Sequence, residues 1–172
     1  TYTHAQGLSC AFRQWRAVDS HCSKLHGYAL EVKLVFSASE LDYRNWVQDF
    51  GGLKDVKIYL EQNFDHVTLV AQDDPQITMF KEMATARIMD LSVVPHVGCE
   101  AFAQQIYNAV SKMLKMDRYD RVMLDSVEVR EHGGNSAIYE RLPEAIQVRH
   151  VPAALWHDDV QRMVAEAIGK LN

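Results

Sequence analysis

Residues 28–37, YALEVKLVFS, set Leu30, Val32, Leu34 and Phe36 at every second position, with Glu31 and Lys33 between them. A two-residue apolar period belongs to a strand with one buried face. Such a strand requires partners along its edges and a covering layer over its apolar side. Residues 5–18, AQGLSCAFRQWRAV, lack helix caps and are rich in strand-compatible side chains, so they are read as an antiparallel partner. A cover is available in CEAFAQQIYNAVSKMLKM, residues 99–116, where Phe102, Ile106, Val110, Met113 and Leu114 recur at three- and four-residue steps.

The remaining elements follow from breakers and phase. Gly51 and Gly52 precede Leu53, Val56, Ile58, Leu60 and Phe64, a pattern partly in helical phase that predicts a helix ending near Phe64. Pro75, behind Asp73 and Asp74, predicts the first turn of a second helix over PQITMFKEMATARIM, and LSVVP is a short strand candidate. Residues 120–132 and 135–142 read as strands joined by a hairpin at Gly133, Gly134 and Asn135. Between Leu124 and Val127 the apolar phase changes, which a bulge explains. Past Pro152, Leu155, Val160, Met163, Val164 and Ile168 predict a terminal helix. The fold class expected is α+β, with helices packed on one face of an antiparallel sheet.

Composition narrows the function classes. A chain of 172 residues, 48% hydrophobic and 24% charged, is of ordinary single-domain size and usage. No apolar run approaches the roughly 20 residues of a spanning helix, so no membrane partner and a cytoplasmic location are expected. The net charge of −5 with scattered basic residues gives no footprint for a phosphate backbone, so no nucleic-acid partner is expected. Cys10, Cys22 and Cys99 are odd in number and far apart, which argues for reduced thiols, and without a C-x-x-C pair a thiolate zinc knot is excluded. The link between the first two strands, DSHCSKLHG, has loop chemistry and carries Cys22 with His21 and His26.

Five segments occur together in order: CSKLHG at 22–27, VQDFGGLK at 47–54, FDH at 64–66, GCE at 98–100 and VEVREH followed by AIY across 127–139. In this the sequence resembles the 6-pyruvoyl-tetrahydropterin synthase and 6-carboxytetrahydropterin synthase family over roughly residues 8–140. The resemblance implies a T-fold, with a four-stranded antiparallel sheet and helices on one face. It also implies homo-oligomers, trimers closing into barrels or hexamers of two trimers, with active sites between subunits. Residues 1–142 would form that domain, and 143–172 a C-terminal extension with a helix. The implied substrate is a small-molecule pterin, 7,8-dihydroneopterin triphosphate, which loses triphosphate as its side chain rearranges; the carboxy branch also releases acetaldehyde.

The site residues carried over are Cys22 as base, with Asp65 and His66 as its proton relay, and Glu131 as ring anchor. The chemistry agrees: a thiol accepts protons near neutral pH when a neighbouring base or cation assists it, and a carboxylate orients an imidazole. A glutamate can accept two parallel hydrogen bonds from an amino group and ring N–H. Glu100 and Cys99 fall where the family has a threonine-bearing segment at the start of its long helix, and are further substrate-binding candidates. Glu100 reads equally as a carboxylate on a helix N-terminus.

The family binds zinc through three histidines, one four residues after a phenylalanine and two in an H-G-H segment. Here Phe12 is followed four residues on by Arg16, and the segment reads His26-Gly27-Tyr28. Three readings stay open. His21 joins His26, with Tyr28 as a weak third ligand, to hold zinc. Arg16 stands in place of the metal as a fixed cation on the substrate side. Or the metal site has been lost, and the chain is a non-catalytic pterin- or purine-binding oligomer.

Overall fold

The computed structural model describes residues 1–116 and 121–141. The elements run β1 (Tyr2–Phe12), β2 (His26–Ala38), α1 (Lys54–Phe64), β3 (Val67–Ala71), α2 (Ile77–Thr85), β4 (Leu91–Val94), α3 (Cys99–Met116), β5 (Val122–His132) and β6 (Asn135–Glu140). The strands form one sheet in the order β4-β3-β1-β2-β5-β6. The expected four-stranded antiparallel unit is present as β1-β2-β5-β6, and β3 and β4 extend it by parallel pairing beyond β1. The fold class is α+β. The proposed extension over 143–172, with its helix, lies outside the described residues. Among those described, no helix is long and apolar enough to cross a membrane.

β2 organises the core. Leu30, Val32, Leu34 and Phe36 are buried and alternate with partly exposed neighbours, as their two-residue period requires. Leu8, Cys10 and Phe12 of β1 join them, and α3 lays Phe102, Ala103, Ile106, Val110 and Leu114 across this face. α1 contributes Val56, Leu60 and Phe64 at four-residue steps, while Ile58, out of that phase, is exposed. Phe102 meets Phe12 and Phe64 edge-on, at ring separations of 5.1 and 5.5 Å, so the first strand and two helices converge on one aromatic cluster.

β5 reaches this core only by changing parity. Val122 and Leu124 are buried at even positions, Val127 and Val129 at odd ones. The register with β2 steps from Val35↔Ser126 to Phe36↔Leu124, leaving Asp125 as the extra residue of a bulge. The bulge is the one expected from the apolar phase change. A second lies at the far end, where Arg130 pairs Ser136 but His132 pairs Asn135, so Glu131 is unpaired against β6. The two-residue turn at Gly133 and Gly134 then closes the hairpin.

β3 was not foreseen, because four of its five residues are buried and no alternation marks it. β1 covers Tyr2–Phe12 instead of 5–18, since the chain turns away from the sheet after Phe12. α2 begins at Ile77, two residues later than Pro75 suggested. Asp74 spends its carboxylate on the Gln76 N–H and on Arg13.

Deleting Asp125 removes the parity change and turns Val122 and Leu124 toward the wrong face. The deletion is expected to abolish cooperative urea unfolding, whereas Asp125→Ala, which keeps the bulge and loses only the Ser37 hydroxyl contact at 2.7 Å, should cost about 1 kcal/mol.

Candidate active site

The inward face of β2 continues past the core. Beyond Leu30 the same parity brings Tyr28 and then His26, so the end of the sheet's apolar face becomes the wall of a cleft. The cleft has a volume of about 390 Å3 and is lined by Gln14, Cys22, Tyr28, Cys99, Glu100 and Glu131, with Phe12 beneath. Its size lies in the small-ligand range. The β5 register places Glu31 opposite Arg130, which carries Glu131 to the level of Leu30, one pleat from Tyr28. Strand alternation sets the Glu131 carboxylate toward the cleft, on the same side as Val127 and Val129, and the bulge leaves it without a partner on β6.

Cys22 sits in a 3₁₀ turn at His21–Ser23, capped by Ser20, whose Oγ accepts from the Cys22 N–H at 3.2 Å. The Cys22 carbonyl accepts from the Gln14 N–H at 2.8 Å, which closes the base of the loop. The start of that loop is clamped from the segment after β3. Arg13 donates to both Asp74 oxygens at 2.9 and 2.5 Å, with the Asp74 side chain 1% exposed. Arg16 donates to Asp73 at 2.5 Å and lies over the Trp15 ring, whose Nε1 also donates to Asp73. Burial opposes ionisation of Asp74, yet the Arg13 guanidinium holds its carboxyl below the usual range. These clamps were missed because QDDP reads locally as a helix start. The signal was the excess of carboxylates over what one cap needs.

Arg16, expected beside the substrate, is therefore directed elsewhere. Its guanidinium is engaged by Asp73, and it lines a separate depression with Trp15, Ala71 and His96.

Of the thiols, Cys10 is buried beneath the sheet and Cys99 opens α3 at the cleft. Burial, then the charges of Glu131 and Glu100, push the Cys99 thiol up to about 12, and burial, then Cys99 and Asp65, does the same for Cys10. Both are held as neutral thiols.

Asp65 and His66 follow α1. The Asp65 Oδ1 accepts from the Ser9 N–H at 2.9 Å, and the His66 N–H donates to the Ser9 carbonyl at 2.6 Å, so the pair is pinned to β1. His66 takes φ 57°, a left-handed conformation costing a non-glycine residue about 1 kcal/mol. Its Nδ1 lies 3.0 Å from Asp65 Oδ2, and its side chain is 83% exposed. Burial disfavours the Asp65 anion, but the Ser9 N–H and the His66 ring outweigh it and lower the pKa. Within one chain this couple is not among the residues lining the cleft.

His26 and Tyr28 are directly linked. The Tyr28 Oη is 2.5 Å from His26 Nε2, and His26 Nδ1 is 2.7 Å from the Lys24 carbonyl. Tyr28 stacks on Phe12 with centroids 4.0 Å apart. The His21 ring lies 6.1 Å from that of His26. A zinc ion needs several free nitrogen, sulfur or carboxylate donors converging on one point. Both nitrogens of His26 are engaged, and among the described residues no group of three or more His, Cys, Asp or Glu is placed to hold a metal. The donor set of His26 and His21 does not fit the ion that the resemblance implied. His132 belongs to the hairpin turn, where its Nδ1 accepts from the Gly134 N–H at 3.1 Å.

A sheet whose core face ends in a cleft walled by a carboxylate of β5 and a loop thiol, with the start of α3 closing the other side, is the architecture of a T-fold protein. The profile described as 6-pyruvoyl tetrahydropterin synthase matches residues 1–142, and the chain belongs to that family. Among curated proteins it is similar to the 6-carboxy-5,6,7,8-tetrahydropterin synthases of Rickettsia felis and Rickettsia conorii, 34% and 33% identical over 70 residues, which are 40% of this chain and 51% of each relative. The chain thus spans about half the length of the curated relatives it matches. Among solved structures, an uncharacterized protein of Wolinella succinogenes superposes with TM-score 0.68 at 20% identity, covering 82% of this chain and 97% of the other. The Plasmodium vivax 6-pyruvoyltetrahydropterin synthase superposes with TM-score 0.58 at 18% identity over 80% and 92%. These likenesses establish the common fold.

Because Cys10 and Cys99 are held near 12, iodoacetamide at pH 8 should label Cys22 and leave the other two unmodified, as read by peptide mass spectrometry. Asp74→Ala, which strands Arg13, is expected to cost about 2–3 kcal/mol in urea unfolding. Its wild-type stabilisation follows pH with a definite sign. The folded carboxyl is depressed below its unfolded value of 3.8, so the contribution is full above about pH 4 and disappears as pH falls through the depressed value.

Proposed function

We propose that this protein is a lyase acting on 7,8-dihydroneopterin triphosphate or a close analogue, yielding a 6-substituted tetrahydropterin. The observation that carries the reading is Glu131. A carboxylate displaced from its ladder by a bulge, and facing the same cleft as Cys22, suits the amino and ring N–H edge of a pterin, to which it offers two parallel acceptors. With the ring so held, the substrate side chain extends toward Cys22, which removes a proton from carbon. Cys99, kept neutral, offers packing and a weak donor.

Asp65 and His66 complete the proton path from a second copy of the chain. What supports this is the conformation of His66, left-handed, oriented by Asp65 and turned outward, where it can enter a neighbour's cleft. Asp65 stabilises the imidazolium formed when His66 takes up a proton. A homo-oligomer, trimer or hexamer, with its sites at subunit boundaries is part of this proposal.

The second reading is a pterin- or purine-binding oligomer without turnover, favoured by one observation: the residues that would hold a metal do not converge. Incubation with dihydroneopterin triphosphate separates the two. The lyase releases triphosphate, with acetaldehyde if it forms the carboxy product, while the binder quenches tryptophan fluorescence and releases neither. Cys22→Ala is expected to lower kcat about 1,000-fold with KM nearly unchanged. Glu131→Gln should weaken pterin binding about 100-fold, as expected for the loss of a charged bidentate contact of roughly 2–3 kcal/mol.

A further inference from the structure

Tyr28, where the family that this chain resembles has histidine, forms a hydrogen-bonded chain with His26 leading out of the cleft. A backbone carbonyl can only accept, so the 2.7 Å contact between His26 Nδ1 and the Lys24 oxygen places the ring proton on Nδ1. In the neutral ring Nε2 is then bare and accepts from the Tyr28 hydroxyl at 2.5 Å. The roles follow in order. Tyr28 lines the cleft while His26 stands behind it. When the Tyr28 proton is directed to His26, rather than to the Glu131 carboxylate that also lies within its reach, the Tyr28 oxygen presents lone pairs to whatever occupies the cleft.

We propose that Tyr28 and His26 form a metal-independent proton relay that accepts the proton of a substrate side-chain hydroxyl. The inference rests on the lyase reading of the same cleft. In the step, the substrate O–H bond breaks and its proton passes to Tyr28 Oη, as the Tyr28 proton passes to His26 Nε2. The electron pair stays on the substrate oxygen, Tyr28 emerges neutral, and His26 becomes an imidazolium whose Nδ1–H still donates to Lys24. The substrate oxygen becomes a carbonyl as Cys22 takes the proton from the carbon that bears it and the C–H electron pair moves into the dihydropterin ring, which takes up a proton in turn and leaves as the tetrahydro form. A Lewis acid assists such a step by acidifying the hydroxyl. This relay assists it by removing the proton outright.

Three features support the assignment. Stacking on Phe12 with an interplanar angle of 12° fixes the phenol plane. The Lys24 carbonyl fixes the imidazole tautomer. The inward parity of β2 brings the phenol into the cleft that Cys22 and Glu131 also line. Tyr28 is the catalytic residue of the pair, and His26 positions it and stores the proton.

The test uses the full purified chain, assayed with dihydroneopterin triphosphate before and after dialysis against a chelator, with zinc measured per chain. The expected result is turnover that persists in the chelated protein at well under one zinc per chain. Tyr28→Phe, which keeps the ring and its stacking, should lower kcat about 100-fold with KM changed less than about threefold. His26→Gln, a second variant should the first misfold, should lower kcat similarly while fluorescence-detected pterin binding stays intact. An active wild type with stoichiometric zinc that chelation silences, or a Tyr28→Phe variant of unchanged kcat, overturns the relay and leaves the lyase standing. A wild type that binds pterin but never turns it over overturns both.

Discussion

Strand parity is the constraint on which the rest of this structure depends. Every even position of β2 from His26 to Phe36 points the same way, and one uninterrupted face serves first as core and then as cleft wall. The site is thus an extension of the hydrophobic core rather than an insertion into a loop. Whatever fixes Leu30 and Val32 against α3 also fixes Tyr28, two residues further along the pleat. β5 joins this scheme through two bulges. That at Asp125 matches its buried valines to the helical layer, and that at Glu131 frees from β6 a carboxylate that strand parity already points where an aliphatic side chain would continue the pattern. Each bulge gives up a ladder position: one secures packing, and the other leaves the carboxylate at the rim without a cross-strand neighbour.

The loop holding Cys22 is governed by a different force. It has little apolar area of its own and is held by charge, through Arg13 on Asp74 and Arg16 on Asp73. Only the first pair is substantially buried, so it carries most of the energy, and the more exposed second one is worth little. The thiol's position therefore depends on a segment, the turn after β3, that contributes nothing to the cleft lining. The same economy appears at Ser9, whose backbone N–H and carbonyl anchor Asp65 and His66 through two short hydrogen bonds.

What could be read from the sequence was what depends on local period. The long helix was legible because its apolar positions recur without exception, and the Asp125 bulge because parity visibly changes between Leu124 and Val127. The hairpin was legible from Gly133 and Gly134. β3 was not, because a strand buried on both sides has no period to detect. The clamp on the Cys22 loop was not, because Arg13 and Asp74 are 61 residues apart and their pairing exists only after β1 and β3 align. Cys22, Glu131, Glu100 and Cys99 do converge on one cleft, while Arg16 does not. Its charge suggested substrate contact, but no local pattern reveals that Asp73 captures it. Asp65 and His66 are not among the residues lining the cleft of their own chain.

The two positions at which histidine is replaced bear on whether this is a working site or a relic. A site that decays by losing its metal leaves polar groups without partners, because substitutions accumulate singly and each strands what it used to contact. Here both replacements have side-chain partners. Arg16 has acquired Asp73 and the Trp15 ring, and Tyr28 has acquired His26, the one retained histidine, at a short distance. Among the described residues the sole buried side-chain polar atom without a partner is Gln48 Oε1, which is not part of the cleft lining. The Tyr28–His26 pair thus stands beside a thiol and a carboxylate that line the same cleft. In the proposed reading, a proton path built on Tyr28 and His26 serves a ring held at Glu131, which keeps the substrate and changes how its hydroxyl is activated.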